Sequence, residues 1–190
     1  DDEAMEWLQS VEDVMYKAFN RSNFQEQIHE LYHDLITFGT GVMFIDKDDE
    51  QQLRFSTRHI KECYLSEDDK GRVDTIYREF KMPLRAAQKR FGEENFSSKI
   101  IQKAKGNPYA QITLVHAVFE RDERDPLKIT SENKPFASIY IEPEEKIILS
   151  EKGFDENPYT CPRFLKSSFE IGYGRSPSMT ALADIKMLNK

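Results

Sequence analysis

The sequence predicts an α+β chain: an N-terminal helical hairpin over residues 1–40, a mainly antiparallel β-sheet over 41–170 with a short helical insertion near 83–105, and the start of a further helix over 176–190. Three observations predict it. Apolar residues recur at spacings of three and four through the first forty positions. The period then changes to short β-branched and aromatic runs from Gly41 onward. Pro and Gly bracket two brief helical stretches in the middle. With 190 residues, 38% hydrophobic and 32% charged, the chain is long enough to bury a core and reads as a single region.

The first helix is expected over residues 4–19, where Trp7, Leu8, Val11, Val14, Met15 and Ala18 share a face with Glu and Lys between them. Ser22 or Asn23 is placed to cap a second helix whose apolar positions Phe24, Ile28, Leu31, Leu35 and Phe38 recur at three and four. Gly39 ends it, because a C-terminal left-handed residue is cheapest as glycine. Strands follow at 42–45, 53–56, 62–65 and 72–80, separated by the polar turns 46–50 and 66–71. The helical insertion comprises 83–91, with Pro83 at its start and Gly92 after it, and 96–105, stopped by Gly106-Asn107-Pro108. Residues 112–119 are almost continuously apolar and so read as the central strand. Residues 138–141 and 146–149 flank Glu142-Pro143-Glu144-Glu145 and form a hairpin, and 162–169 is a candidate last strand. The charged stretch 121–133 reads as a surface loop.

At the C-terminus Gly172 and Gly174 let the backbone turn, Ser176 is a good N-cap acceptor and Pro177 fits the first helical position. The helix that follows has no stop signal, so it is expected to continue past Lys190 and the chain reads as a piece of a longer protein. Its apolar residues Met179, Leu182, Ile185 and Leu188 advance by three and drift around the cylinder, so more than one surface must cover it. Arg175 and Asp184 read either as an intrachain surface pair or as a pair across a subunit boundary.

The net charge of −7 argues against a protein that coats duplex DNA through a basic face, because neutralising phosphates takes clustered Lys and Arg. Cys63 and Cys161 are far apart with no CxxC spacing, which suits free thiols in a reducing compartment. No apolar run approaches the roughly 18–20 residues that cross a bilayer, and the acidic start lacks a signal peptide's basic region, so the sequence reads as soluble and intracellular.

His29-Glu30-Leu31-Tyr32-His33 matches H-E-x-x-H on a helix, a pattern in which two histidines one turn apart hold zinc and the glutamate activates water. Here His29, Glu30 and His33 fall opposite the apolar stripe, facing solvent. The remaining histidines, His59 and His116, sit at no zinc-protease spacing, so the motif reads as a decoy and neither metal nor cofactor is expected. Asp46, Asp48 and Glu50 alternate like a calcium loop, but no glycine stands at the sixth position. P-loop, GxGxxG and GxSxG patterns are absent.

Tyr173-Gly174-Arg175-Ser176-Pro177, running into Asp184 and Asn189, resembles the head-to-tail connector, or portal, proteins of short-tailed bacteriophages and prophages. So do Gly153-Phe154-Asp155-Glu156-Asn157-Pro158-Tyr159 and Arg163-Phe164 just upstream. Ser22-Asn23-Phe24 opening a helix and Phe38-Gly39-Thr40-Gly41 closing it fit the same family. The chain departs from it at Phe164, where Trp is common, and at Ile171, a more usual polar position.

The resemblance implies the outer, wing-like part of a structural subunit that forms a homo-oligomeric ring, twelve-fold by family expectation, at one capsid vertex. Double-stranded DNA would pass through the ring. Terminase, capsid, scaffold and tail adaptor proteins would be the partners, in a virion assembled in the host cytoplasm and with no membrane involved. The alternatives are a zinc-dependent hydrolase built on His29, Glu30 and His33, or a generic binding scaffold. Stoichiometric zinc that is lost in His33→Ala would select the hydrolase.

Overall fold

In a computed structural model, residues 2–48, 50, 52–125, 127–166 and 172–189 are described. Among the described residues, five α-helices and eight strands follow one another in an α+β order. The chain forms two compact units, one made of residues 1–60 with 158–190 and the other of residues 61–157. Where the sequence suggests one mainly antiparallel sheet, the strands divide into two sheets, and every named pairing in both is antiparallel.

The first unit begins with α1 (Asp2–Arg21) and α2 (Phe24–Phe38). Between them Ser22 uses its hydroxyl twice, donating to Phe19 O and accepting from Phe24 N–H. Asn23 occupies the N-cap position of α2 but makes no side-chain cap. Its amide is used elsewhere: Nδ2 donates to Phe55 O at 2.8 Å and Oδ1 accepts from Phe55 N–H at 2.9 Å. This pair of bonds fastens α2 to the outer edge of β2 (Gln52–Thr57), which pairs with β1 (Met43–Asp48). Leu31, Met43 and Phe55 are buried there with Phe19, Phe24 and Ile28 packed against them. Phe24 lies 4.8 Å from Phe19 and 5.0 Å from Phe55, ring centre to ring centre. No residue of α1 is fully buried, and Phe19 is its contribution to this cluster.

The sheet of this unit has the order β2-β1-β8, and β8 is only Tyr159–Thr160. The expected strand at 162–169 is therefore replaced by that short strand and by isolated bridges at Arg163 and Lys166. Residues 167–169 lie outside the described residues. The unit closes with α5 (Pro177–Leu188).

The second unit is a five-stranded antiparallel meander, β3 (Cys63–Glu67), β4 (Val73–Pro83), β5 (Gln111–Glu120), β6 (Phe136–Glu142) and β7 (Ile147–Phe154), with β5 in the middle as its apolar run predicts. The helices α3 (Leu84–Phe91) and α4 (Ser98–Gly106) are inserted between β4 and β5. They contribute Leu84, Ala87, Ile100 and Ala104 to a core with Phe80, Ile112, Leu114 and Leu149. Ser97 caps α4 by accepting from Ile100 N–H, and Gly92 follows α3 as expected. The β6–β7 turn is closed by the buried Glu142 carboxylate, which accepts from Glu144 N–H at 3.1 Å and Glu145 N–H at 2.7 Å.

The loop after β5 is organised around Asn133. Its side chain accepts from Asp125 N–H and donates to the carbonyls of Asp125 and Lys128. No described helix is long and apolar enough to cross a membrane, and neither cysteine forms a disulfide.

Candidate functional site

Two constellations singled out by the sequence fall in the first unit. One is built from the C-terminal motif. α2 ends where Gly39 turns into the left-handed region, φ 79°, and its N–H returns to Leu35 O at 3.0 Å. The next residues, Thr40 and Gly41, are crossed by two returning segments. Gly41 N–H donates to Pro162 O at 3.0 Å, Phe164 N–H donates to Gly39 O at 2.9 Å, and Thr40 bridges Arg163. Gly174 N–H then donates to the buried Thr40 hydroxyl at 2.8 Å.

The two glycines face each other backbone to backbone. A Cβ on Gly39 would collide with Gly174 O and one on Gly174 with Gly39 O, so neither position has room for a side chain. Ser176 completes the clasp. Its hydroxyl donates to Thr37 O at 2.9 Å and accepts from Met179 N–H at 2.9 Å, tying the last turn of α2 to the first turn of α5 through one buried atom. Pro177 takes the first helical position, as expected.

Of the other motif residues, Tyr173 is half-buried, and Arg175 is exposed with its backbone N–H donating to Leu165 O. Asn189 ends α5, its N–H bonded to Ile185 O. Asp184 is exposed, and neither Arg175 nor Asp184 forms an ion pair with a described residue. Ile171, one of the two departures from the family pattern, lies outside the described residues, while Phe164 is exposed.

The second constellation is the H-E-x-x-H segment on α2. His29, Glu30 and His33 are exposed, as the helical wheel predicts. They are not isolated, because Asp34 and, from the end of β2 and beyond, Thr57 and His59 line the same groove of about 340 Å³. Thr57 is held against α2 by Gln27, whose side chain accepts from Thr57 N–H and whose carbonyl accepts from the Thr57 hydroxyl. His59 lies against the ring of Phe38 at 5.0 Å. Sequence reasoning overlooked Asp34, although it adjoins His33, and did not bring His59 to this face. No signal short of the β2 edge pairing would have done so. Among the described residues, no three His, Cys, Asp or Glu side chains converge as metal ligands would.

Burial pushes the Asp34 carboxyl above its ordinary pKa of 3.8. The positive charge of His59 and His33 opposes the rise, and Glu30 adds to it. A carboxyl whose pKa is raised on folding favours the folded state below its unfolded value and loses that stability as pH rises through the folded value. Asp34→Asn, which mimics the neutral acid, is therefore expected to raise the melting temperature at pH 7, with the gain shrinking toward zero below the ordinary value of 3.8. Melts at both pH values check this, and a loss at pH 7 would contradict it.

Of the acidic 46–50 stretch expected as a turn, residues 46–48 instead extend β1, pairing with Arg54, Leu53 and Gln52 of β2, because the strand ladder continues to Asp48. At the end of that strand Asp48 Oδ1 accepts from Glu50 N–H, which occupies an oxygen that a calcium site would need.

A family model described as bacteriophage head to tail connecting protein matches residues 1–190. The portal protein of Salmonella phage epsilon15 is 33% identical over 185 residues, covering 96% of this chain and 33% of that protein. The probable portal protein of Bordetella phage BPP-1 is 31% identical over 185 residues, with the same two coverages. The chain thus spans about a third of the length of the curated relatives it matches.

Proposed function

The chain belongs to the family of bacteriophage head to tail connecting proteins, and from that membership we propose that it is the outer, wing-like part of a portal subunit. The observation that carries this reading is the family match across the whole chain. The full-length protein assembles as a homo-oligomeric ring, twelve-fold by family expectation, at one vertex of the capsid. DNA is packaged and ejected through the ring, and the tail attaches to it. The role is structural. Terminase supplies the ATP-driven work, and capsid, scaffold and tail adaptor proteins are the other partners, within a virion assembled in the host cytoplasm.

The net charge of −7 is compatible with a ring through which duplex DNA passes without being bound by a basic face. The clasp supports a mechanical role, since it joins the end of α2 to the start of α5 through the close approach of Gly39 and Gly174 and through the buried hydroxyls of Thr40 and Ser176. Arg175 and Asp184, exposed and without a described ion-pair partner, are contact residues between subunits in this reading.

Negative-stain electron microscopy of the full-length protein tests the proposal. Rings with a central hole are the expected result; a compact monomer at high concentration would overturn it.

A further inference from the structure

The first unit carries two apolar helix faces that nothing described covers. On α1, Met5, Trp7, Leu8, Val14, Met15 and Tyr16 are between 52% and 66% exposed. On α5, Met179, Leu182, Ile185, Met187 and Leu188 are between 45% and 86% exposed. A helix that is apolar over half its surface or more is stable only when that surface is packed. The exposed apolar residues span more than half of the helical wheel on α1 and on α5, so a helix lying along either one covers part of that arc.

The two faces also match in charge. α1 bears one acid inside its apolar arc, Glu12, which lines a groove with Leu8, Val11, Met15, Tyr16 and Phe19. α5 bears one cation among its apolar residues, Lys186, beside Met179 and Leu182 on the helical wheel. Neither forms an ion pair with a described residue. The faces are unlike each other, so their contact is heterologous, and a heterologous contact between identical chains closes into a ring when the rotation permits.

We propose that the apolar face of α1 in one subunit packs on α5 of the next, with Glu12 opposite Lys186. The inference rests on the ring reading above and adds the surfaces that build the ring.

Charge reversal on the full-length protein tests it, read by sedimentation and electron microscopy. Glu12→Lys and Lys186→Glu are each expected to raise the concentration for half-assembly at least tenfold, with the helical circular dichroism unchanged. An equimolar mixture of the two variants is expected to assemble again, because alternating subunits restore opposite charges at every α1–α5 contact. Rescue by mixing cannot occur if the pair lies within one chain. Rings in the wild type that persist in both single variants, or single-variant defects that mixing does not repair, would overturn the α1–α5 contact while leaving the ring reading intact. Absence of rings in the wild type would remove the ring reading and this contact with it.

Discussion

Replacing Gly39 by alanine is expected to lower the stability of the first unit by about 3 kcal/mol or more, a loss in the range that only a disrupted core or strained backbone produces. Two costs combine. Gly39 sits at φ 79°, and a non-glycine residue in the left-handed region costs roughly 1–2 kcal/mol. The added Cβ would also fall 2.6 Å from Arg175 C and Ser176 N, both backbone atoms that cannot rotate aside. Forcing packed groups apart costs about 1–3 kcal/mol more, and the shift would stretch the bonds from Gly174 to Thr40 and from Ser176 to Thr37.

Gly174→Ala is expected to cost less, about 1–3 kcal/mol, because only the clash applies: its Cβ would meet Gly39 O and, at 2.9 Å, Arg163 Cβ, while its φ is not positive. Gly106→Ala is the control. A Cβ there meets nothing within 4 Å, so that variant should be neutral or up to about 1 kcal/mol more stable through helix propensity. Urea unfolding followed by circular dichroism measures all three. A Gly39 variant as stable as the Gly106 variant would mean that the two backbones do not cross as described.

Asn23→Ala should cost about 2–3 kcal/mol through a different route. Its side chain satisfies both backbone polar groups of Phe55 on the outer edge of β2, and leaving a buried donor or acceptor unpaired costs roughly 1–3 kcal/mol each. Water entering the cut edge recovers part of that loss, which keeps the sum below the two penalties added together. Asn23→Asp separates the two bonds, because a carboxylate still accepts from Phe55 N–H but repels Phe55 O. An intermediate loss is expected for it. Equal stability of Asn23→Ala and wild type would show that Asn23 acts as no more than a turn residue.

Both positions show how differently the sequence and the tertiary structure speak. The end of α2 was legible because a C-terminal glycine with positive φ is a local requirement, met within a single turn of chain. The same holds for the Ser176-Pro177 start of α5, the central position of β5 in its apolar run and the helical insertion between β4 and β5. Family membership was legible too, since a motif is a property of sequence alone. The purpose of Gly174 was not, because its partner Gly39 lies far away in the chain and only folding sets the carbonyl of each glycine where the other's side chain would stand.

Asn23 read as a cap and serves as an edge clamp, since a short amide bonds whichever backbone approaches it and β2 approaches closer than its own helix. The histidine motif read as two solvent-facing side chains, which is correct, yet Asp34 and His59 share its groove through the placement of the end of β2. The two-residue β8 likewise exists only because β1 offers it an edge. Periodicity, caps and turn residues act over a few bonds and were determined by the sequence by itself. The division into two sheets, the clasp and the groove depend on which distant surfaces meet, a choice made by burial and backbone hydrogen bonding across the whole chain that only the tertiary structure decided.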